Sequence, residues 1–204
     1  MQSDREIAAR ADPQLGQYFL VSAEKLSKLI AAAGIRPTDD VLEVGAGIGT
    51  VARELPRSRS LTLIEFDKRL IESLCQNVPH ANIVQGEALE IIREISFDVL
   101  IGNLPHKVTE SLLKLMPSLS FRTAVLAVGE STDLDQLGPA LSWSEVTKIT
   151  GDDFLPPQPS VSRIVRVVPA GGGTRALLSL TRLVMPDRRP GRRVALCRAC
   201  SGHG

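Results

Sequence analysis

The residues best suited to chemistry in this chain are four consecutive ones, Asn103-Leu104-Pro105-His106. They lie just beyond the apolar run 97–101, which places them at the end of a buried strand. The side-chain oxygen of Asn103 and the carbonyl oxygen of Leu104 could accept both hydrogens of one amino group, while Pro105 fixes the turn. His106 could stack on a ring or exchange a proton near neutral pH. The alternative is an ordinary strand-end turn that uses Asn and Pro for their local preferences.

A glycine-rich turn precedes these residues in the chain. The run 40–50 carries Glu43 and then Gly45, Gly47 and Gly49 at alternating positions. Glycine lets the backbone turn tightly and approach a ligand, because it has no Cβ. The spacing is G-x-G-x-G and not the G-x-G-x-x-G of pyrophosphate-binding turns, so the expected ligand carries no diphosphate. A turn of this kind beside an acidic residue suits S-adenosylmethionine (SAM), whose ammonium group needs acceptors, although a strand–turn–helix junction without a ligand is the plainer alternative.

Acidic residues also follow the next two predicted strands. Glu65 ends the apolar run 61–64, where a carboxylate can accept both hydroxyl groups of a ribose. Glu87 follows the run 82–84, at a position where it could bind the amino group of an adenine. In open parallel sheets, ligands bind beyond the carboxyl ends of the strands. Polar residues at the ends of four consecutive strands therefore predict an adenosine-containing ligand, with SAM as the cofactor.

Apolar runs rich in β-branched residues alternate with helical patterns from residue 41 onward. A helix from Ser22 to Gly34 comes first. Predicted strands then cover 41–44, 61–64, 82–84, 97–101 and 124–128, and helical stretches cover 50–55, 68–77, 88–95 and 109–116, with Thr109 as the cap of the last. Strands at 145–149 and 163–168 form an antiparallel addition. This rhythm predicts an α/β, Rossmann-like domain, with a mostly parallel seven-stranded sheet, helices on both faces and an antiparallel last strand.

Six features together resemble the ribosomal RNA adenine N6-dimethyltransferase family. They occur in that family's order and spacing over roughly residues 14–169. The features are Gly16-Gln17-Tyr18-Phe19-Leu20, the glycine turn, Glu65, Gly86-Glu87-Ala88-Leu89, Asn103-Leu104-Pro105-His106, and the segment from Phe154 to Ser162, which resembles F-x-P-x-P-x-V-x-S. The resemblance implies the fold of class I SAM-dependent methyltransferases and methyl transfer to N6 of an adenine in ribosomal RNA.

The resemblance also implies a role for individual residues. Those expected to bind the cofactor are Gln17, Phe19, Leu20, Glu43, Gly45, Gly47, Gly49, Glu65, Phe66, Glu87, Ala88 and Asn103. Those expected to be catalytic are Asn103, Leu104, Pro105, His106 and Phe154. Phe154 would stack on the target base opposite residue 106. Two positions depart from the family pattern, because Tyr18 stands where asparagine is common and His106 where tyrosine or phenylalanine is usual.

The composition of the chain predicts where the protein is located and whether it binds a metal. The chain has no apolar run long enough to span a membrane and no signal segment at its start. Three cysteines, Cys75, Cys197 and Cys200, are too few and too unevenly spaced for a disulfide framework, which predicts a reducing, cytoplasmic location. With His203 the last two cysteines supply only three of the four ligands of a structural zinc site, so no metal is expected.

Charge divides the chain into an acidic body and a basic tail. Residues 1–162 hold 15 Lys and Arg against 22 Asp and Glu, whereas residues 163–204 hold nine Arg against one Asp. We predict three parts: an N-terminal segment over the cofactor pocket (1–20), a SAM-binding catalytic domain (21–169), and a Gly/Arg-rich, partly disordered remnant of a C-terminal domain (170–204). RNA-binding proteins usually carry a basic patch, and here only the tail supplies an obvious one.

Three functions therefore remain open on the sequence. The intact Asn-Leu-Pro turn and the proline-rich segment favour an RNA adenine methyltransferase. The acidic body, the short segment 129–145, the missing second domain and His106 favour a small-molecule N- or C-methyltransferase. A non-catalytic binding protein on the same scaffold is the third possibility. The partner is accordingly RNA or a small-molecule acceptor.

Overall fold

The computed structural model describes residues 9–170, and nine β-strands lie in that part of the chain. They are β1 (Phe19–Leu20), β2 (Asp40–Val44), β3 (Ser60–Glu65), β4 (Asn82–Gln85), β5 (Val99–Asn103), β6 (Thr123–Gly129), β7 (Leu141–Ile149), β8 (Phe154–Leu155) and β9 (Ser162–Pro169). Seven of them form one sheet in the order β4-β3-β2-β5-β6-β9-β7. Strands β4 to β6 of this order pair in parallel, and β9 pairs antiparallel with both β6 and β7. The predicted seven-stranded sheet is confirmed.

Four α-helices connect these strands within the described residues. They are α1 (Ala23–Ala33), α2 (Lys68–Asn77), α3 (Ala88–Ile91) and α4 (His106–Leu115). Helix α1 begins after Ser22 and ends at Gly34, whose φ of +52° is a left-handed conformation that glycine adopts without strain. Helix α2 is capped by Asp67, whose side chain accepts a hydrogen bond from the Arg69 N–H. The predicted boundaries of both helices are confirmed.

Three predicted helical stretches differ from the structure. Residues 50–55 contain only a short 3-10 turn at Ala52–Glu54, just before Pro56, and the stretch 88–95 is helical only over Ala88–Ile91. Thr109 is not the cap of α4, because the helix begins at His106 and the Pro105 carbonyl already accepts from the N–H groups of residues 108 and 109. Proline is pre-organised for a helix start, since its fixed φ suits the first turn.

Both faces of the large sheet are buried. Leu63 and Ile101 belong to the hydrophobic core on one face, with α1 and α2, while Ile64 and Leu100 belong to the core on the other, with α3 and α4. Adjacent residues of one strand point to opposite faces, so a strand covered on both sides reads as a continuous apolar run. This packing fixes the carboxyl ends of β2, β3 and β5 relative to one another, and the polar residues there are therefore held in a defined arrangement.

A second, two-stranded sheet was not predicted. Strand β1 pairs antiparallel with β8, so that Phe19 is opposite Leu155 and Leu20 is opposite Phe154. This pairing holds the N-terminal segment against the rest of the domain. Within residues 9–170 no helix is long and apolar enough to cross a membrane, and no group of three metal-ligating side chains occurs there. The arginines from 188 to 198, Cys197, Cys200 and His203 lie outside the described residues.

Candidate active site

The glycine turn after β2 is enclosed by two side chains. Gly45 and Gly47 have φ values of +70° and +58°. A Cβ on Gly45 would overlap Leu104 Cδ2, and a Cβ on Gly47 would lie 2.7 Å from Phe19 Cε1. Glycine is therefore required here both by the backbone conformation and by the close approach of neighbouring side chains. The turn lies between the N-terminal segment and the Asn103–His106 turn, which places the predicted cofactor and catalytic residues side by side.

Glu43 is a buried carboxyl group that lacks one of its expected partners. It lies near the end of β2 with 3% of its surface exposed, and its Oε2 atom has no hydrogen-bond partner among residues 9–170. Burial raises the pKa of Glu43 to about 8, and the nearby Glu65 carboxylate adds to the rise. A buried carboxylate needs a cation or several donors to stay ionised. The site therefore offers an unmatched acceptor to a positively charged ligand.

Glu65, at the end of β3, is held by the backbone on both sides. Its Oε2 accepts from the Gly47 N–H at 2.7 Å and its Oε1 accepts from the Asp67 N–H at 2.7 Å. Burial raises the pKa of Glu65, while the N–H groups of Asp67 and Gly47 act in the opposite direction. The Phe66 N–H is a third backbone donor to this carboxylate. Two carboxylate oxygens have four lone pairs between them, so Glu65 can accept a further bond, for example from a hydroxyl group.

The remaining predicted cofactor residues at this edge differ in exposure. Phe66, directly after Glu65, is 60% exposed. Glu87 is exposed just before α3, whereas Ala88 is buried at the start of that helix. An apolar ring and an acidic group thus follow the ends of β3 and β4. The roles of these three residues stay predictions.

The N-terminal segment makes different contacts from those expected of it. The Gln17 Nε2 donates to Asp67 Oδ2 at 2.9 Å, and its Oε1 accepts from the Asp12 N–H at 2.9 Å. Both ends of this amide are therefore engaged within the protein, and its predicted contact with a cofactor stays a prediction. Leu20 is fully buried, backbone included, and Phe19 is 6% exposed, so the predicted contacts of these two residues with a cofactor stay predictions.

Asn103 ends β5 with its amide oriented by a hydrogen bond. Its Nδ2 donates to the Tyr18 carbonyl oxygen at 3.0 Å, which makes Oδ1 the end of the amide that can act as an acceptor elsewhere. The next carbonyl, that of Leu104, accepts from the Thr109 hydroxyl at 3.1 Å and retains a second lone pair. Two acceptors on consecutive residues therefore occur where the sequence predicts them.

A cleft of about 480 Å³ opens beside these acceptors. Its lining includes Asn103, Leu104 and His106, from the end of β5 and the start of α4, and Gln158 and Ser162, from the proline-rich loop and the start of β9. Small-molecule sites commonly measure about 300–1,000 Å³, so a single nucleobase or a compound of similar size can enter. The Gln158 Nε2 donates to the hydroxyls of Ser160 and Ser162 at 3.0 and 3.1 Å, which fixes this polar wall.

His106 lines the cleft beside Gly129. It is the first residue of α4 and is exposed. A Cβ on Gly129 would overlap the His106 ring, with Nε2 at 2.9 Å and Nδ1 at 3.0 Å from it. Gly129 therefore makes room for the imidazole, and the two residues act as one structural pair.

Phe154 does not take the predicted place opposite His106. It is 1% exposed and packs in the hydrophobic core with Leu20 and Leu29, so the prediction that it stacks on a target base is wrong for this structure. The reason is the β1–β8 pairing, because side chains of a strand alternate and Phe154 takes the inward position. Gln158 lies across the cleft instead. A sequence signal for it existed, since Gln158 occupies the second proline position of the F-x-P-x-P pattern.

Comparison with known proteins identifies the family. A model described as ribosomal RNA adenine dimethylase matches residues 8–133, more than half of the chain. The chain belongs to this family.

Individual proteins that are similar to this chain agree with that assignment. The ribosomal RNA small subunit methyltransferase A of Dehalococcoides mccartyi is 31% identical over 183 residues, which cover 78% of this chain and 63% of the relative. The chain thus spans less than two thirds of that relative's length. Two solved structures, a dimethyladenosine transferase from Plasmodium falciparum and the 23S rRNA methyltransferase ErmE, each have a TM-score of 0.67 at 24% identity. They cover 78% and 81% of this chain, with 65% and 77% of their own lengths matched, and confirm the class I methyltransferase fold.

Proposed function

We propose that this protein is a SAM-dependent methyltransferase that acts on N6 of an adenine in ribosomal RNA. Its family, and the names of its relatives, support both the reaction and the substrate. The observation that carries the proposal is the orientation of Asn103, whose Nδ2 is bonded to the Tyr18 carbonyl beside a cleft of nucleobase size. We place the reaction in the cytoplasm, where ribosomal RNA would be the substrate.

The residues around the glycine turn fit SAM. The unmatched Oε2 of Glu43 suits its ammonium group, and the remaining acceptor capacity of the Glu65 carboxylate suits its ribose hydroxyls. Phe66 and Glu87 would lie against its adenine. When bound, SAM supplies a methyl group that its sulfonium has already activated for attack.

The chain's own contribution to the reaction is the placement of acceptors on the target amine. The lone pair of an exocyclic adenine nitrogen is delocalised into the ring, which makes it a poor nucleophile. Asn103 Oδ1 and the Leu104 carbonyl would accept its two hydrogens and favour a pyramidal nitrogen with a localised lone pair. Positioning and charge stabilisation of this kind can supply most of a rate enhancement. No strong general base is needed, because the methylated ammonium product is acidic.

The cleft restricts the conformation in which an RNA base can be a substrate. A base can enter a cleft of this size only if it leaves its stack, so the target adenine must be unpaired or extruded. His106 and Gln158, which both line the cleft, would contact that base. The imidazole here replaces the tyrosine or phenylalanine of the family pattern and retains the ability to stack.

A small-molecule acceptor is the second candidate, and the charge of the described residues favours it. Residues 9–170 carry 16 Lys and Arg against 20 Asp and Glu, whereas an RNA-binding surface is usually basic. If RNA is the substrate, the arginines between 188 and 198 must help to hold it, and its affinity would fall steeply with salt.

Labelled SAM distinguishes the candidates. The full chain, a chain lacking residues 186–204 and the Asn103→Ala variant would each be offered ribosomal RNA or a metabolite extract. We expect label at adenine in RNA with the full chain, and loss of RNA methylation but not of SAM binding on deletion. Label only in the metabolite fraction, with the tail dispensable, would make the RNA assignment wrong. No transfer to either acceptor would favour a binding protein on the same scaffold.

A further inference from the structure

The N-terminal segment 12–20, here called the strap, crosses the carboxyl end of the sheet and contacts both halves of the site. Phe19 packs against Gly47 in the glycine turn. The Tyr18 carbonyl accepts the hydrogen bond from Asn103 Nδ2. Gly16 lies so close to Pro105 that a Cβ there would be 3.0 Å from the proline Cβ. The position of the strap therefore determines what surrounds Asn103.

A set of polar contacts, here called the latch, ties the strap to the start of α2. Gln17 Nε2 donates to Asp67 Oδ2 at 2.9 Å, and Arg69 bonds the same oxygen at 2.7 Å. Arg69 also reaches Asp12 at 3.3 Å, and the Asp12 N–H donates to Gln17 Oε1. Asp67 is only 8% exposed. The latch thus combines an ion pair with an amide that is satisfied at both ends.

Apart from the latch, few buried contacts hold the first half of the strap in place. Its 3-10 turn, Pro13–Leu15, has no buried residue, and Leu15 is 47% exposed. The last two residues, Phe19 and Leu20, form strand β1 and are buried, and Tyr18 is partly buried against the core. Hydrophobic burial therefore anchors one end of the strap, and the latch anchors the part that leads to Tyr18.

We infer that Asp67 and Gln17 are positioning residues for Asn103: the latch fixes the strap, and the Tyr18 carbonyl on the strap selects the orientation of the Asn103 amide. The oxygen and nitrogen ends of an amide have almost the same shape, so its hydrogen-bond partners decide which end faces which way. A reversed amide would present N–H donors to the N–H donors of an amine. The catalytic consequence rests on the function proposed above, whereas the orientation itself does not.

The Asp67→Asn variant tests the latch with little other disturbance. Asp67 Oδ1 accepts from the Arg69 N–H at 2.9 Å as the cap of α2, and asparagine caps helices as well as aspartate does. The change instead replaces Oδ2 by an NH2 group, which then faces both donors that bonded this oxygen, the Nε2 of Gln17 and the guanidinium of Arg69. Adding Gln17→Glu exchanges donor and acceptor between residues 17 and 67 and restores the net charge, but it does not restore the bond from Arg69. A double-mutant cycle can therefore measure the coupling between residues 17 and 67, apart from the effect of each single substitution.

The primary readout is the side-chain amide signal of Asn103 in NMR spectra of the full chain without cofactor, assigned by its loss in Asn103→Ala. We expect Asp67→Asn to shift this signal and to speed its solvent exchange about tenfold, as for loss of one hydrogen bond. The double variant should return both toward wild type. In turnover with saturating cofactor, kcat should fall about tenfold in the single variant and recover in part in the double.

The matched control is Asp39→Asn. It breaks another buried ion pair, Asp39 with Arg122 at 2.5 Å, which lies at the amino end of β2 and so at the opposite end of the sheet. This variant should lower the melting temperature without moving the Asn103 signal. An unmoved signal in Asp67→Asn, an equal shift in Asp39→Asn, or no recovery in the double variant would overturn the inference. The Asn103 signal could instead shift in Asp67→Asn and recover in the double variant while the protein methylates no acceptor. That result would overturn only the proposed function.

Discussion

Glu43 and Glu65 are buried carboxyl groups on the neighbouring parallel strands β2 and β3, and the Glu65 carboxylate acts electrostatically on Glu43. Glu65 has backbone donors on both oxygens, whereas Glu43 Oε2 has no partner among the described residues. Burial raises the pKa of Glu43 to about 8, and the charge of Glu65 adds to the rise. Either a proton on Glu43 or a cation beside it can therefore compensate for the burial of its negative charge.

Stability should depend on pH through Glu43. Its folded-state pKa of about 8 lies above the ordinary value of 4.5, so the folded protein binds the proton more tightly than the unfolded chain does. The free energy of unfolding should therefore fall as pH rises from about 4.5 to 8. Glu43→Gln should remove this contribution, and its stability relative to wild type should rise across that range in urea titrations. A constant difference between the two proteins at all pH values would contradict the assignment.

Cofactor binding should release a proton near neutral pH. An ammonium group beside Glu43 would favour the carboxylate and lower its pKa. Calorimetry of S-adenosylhomocysteine binding at pH 7 should therefore give an apparent enthalpy that varies with the ionisation enthalpy of the buffer. Glu43→Gln should abolish this variation. Proton uptake, or none in wild type, would place the ammonium group elsewhere.

Glu65→Ala should weaken S-adenosylhomocysteine binding by at least tenfold, because hydrogen bonds to a charged group contribute about 1.5–3 kcal/mol each. The same calorimetric titration measures it. Glu72→Ala, on the exposed side of α2, serves as the control and should bind as wild type does. Equal affinity in Glu65→Ala and wild type would remove the ribose assignment.

Asn103→Ala should reduce turnover far more than cofactor affinity. Loss of one pre-organised polar group at a reacting centre typically lowers kcat by about 10²–10³. An interaction made mainly in the transition state leaves binding near wild type. Single-turnover rates and calorimetry on the same preparation provide the comparison. Parallel losses in both would show that Asn103 acts through the fold.

Gly129→Ala should impair use of the acceptor while sparing the cofactor. The added methyl group overlaps the His106 ring, so the imidazole must move within the cleft. We expect KM for the acceptor to rise severalfold with unchanged S-adenosylhomocysteine affinity. His106→Ala in the same background removes the clash and provides the control. An equal loss of cofactor affinity would show that the change spreads beyond the cleft.

The parts of the fold that could be predicted are those with strong local signals. Strands buried on both faces give continuous apolar runs, and left-handed turns select glycine, so the sheet and the turn around Gly47 were predicted correctly. Phe154 was misplaced because a two-residue strand has no periodicity from which to read its inward face. The latch was missed for another reason. Gln17 and Asp67 are 50 residues apart in sequence, and nothing local to either residue indicates a partner at that separation.

The contacts of the strap also determine the stage of folding at which the site around Asn103 can form. Phe19 is near the beginning of the described chain, yet its strand partner Leu155 is near the end, and the Tyr18–Asn103 bond joins residues 85 positions apart. Contacts of such high contact order form late, because the loops between them must close first. A chain emerging from the ribosome would hold the strap long before its partner strand has been synthesised. Orientation of Asn103 should therefore be among the last events of folding, and the growing chain would acquire a catalytic centre only after the sheet is complete.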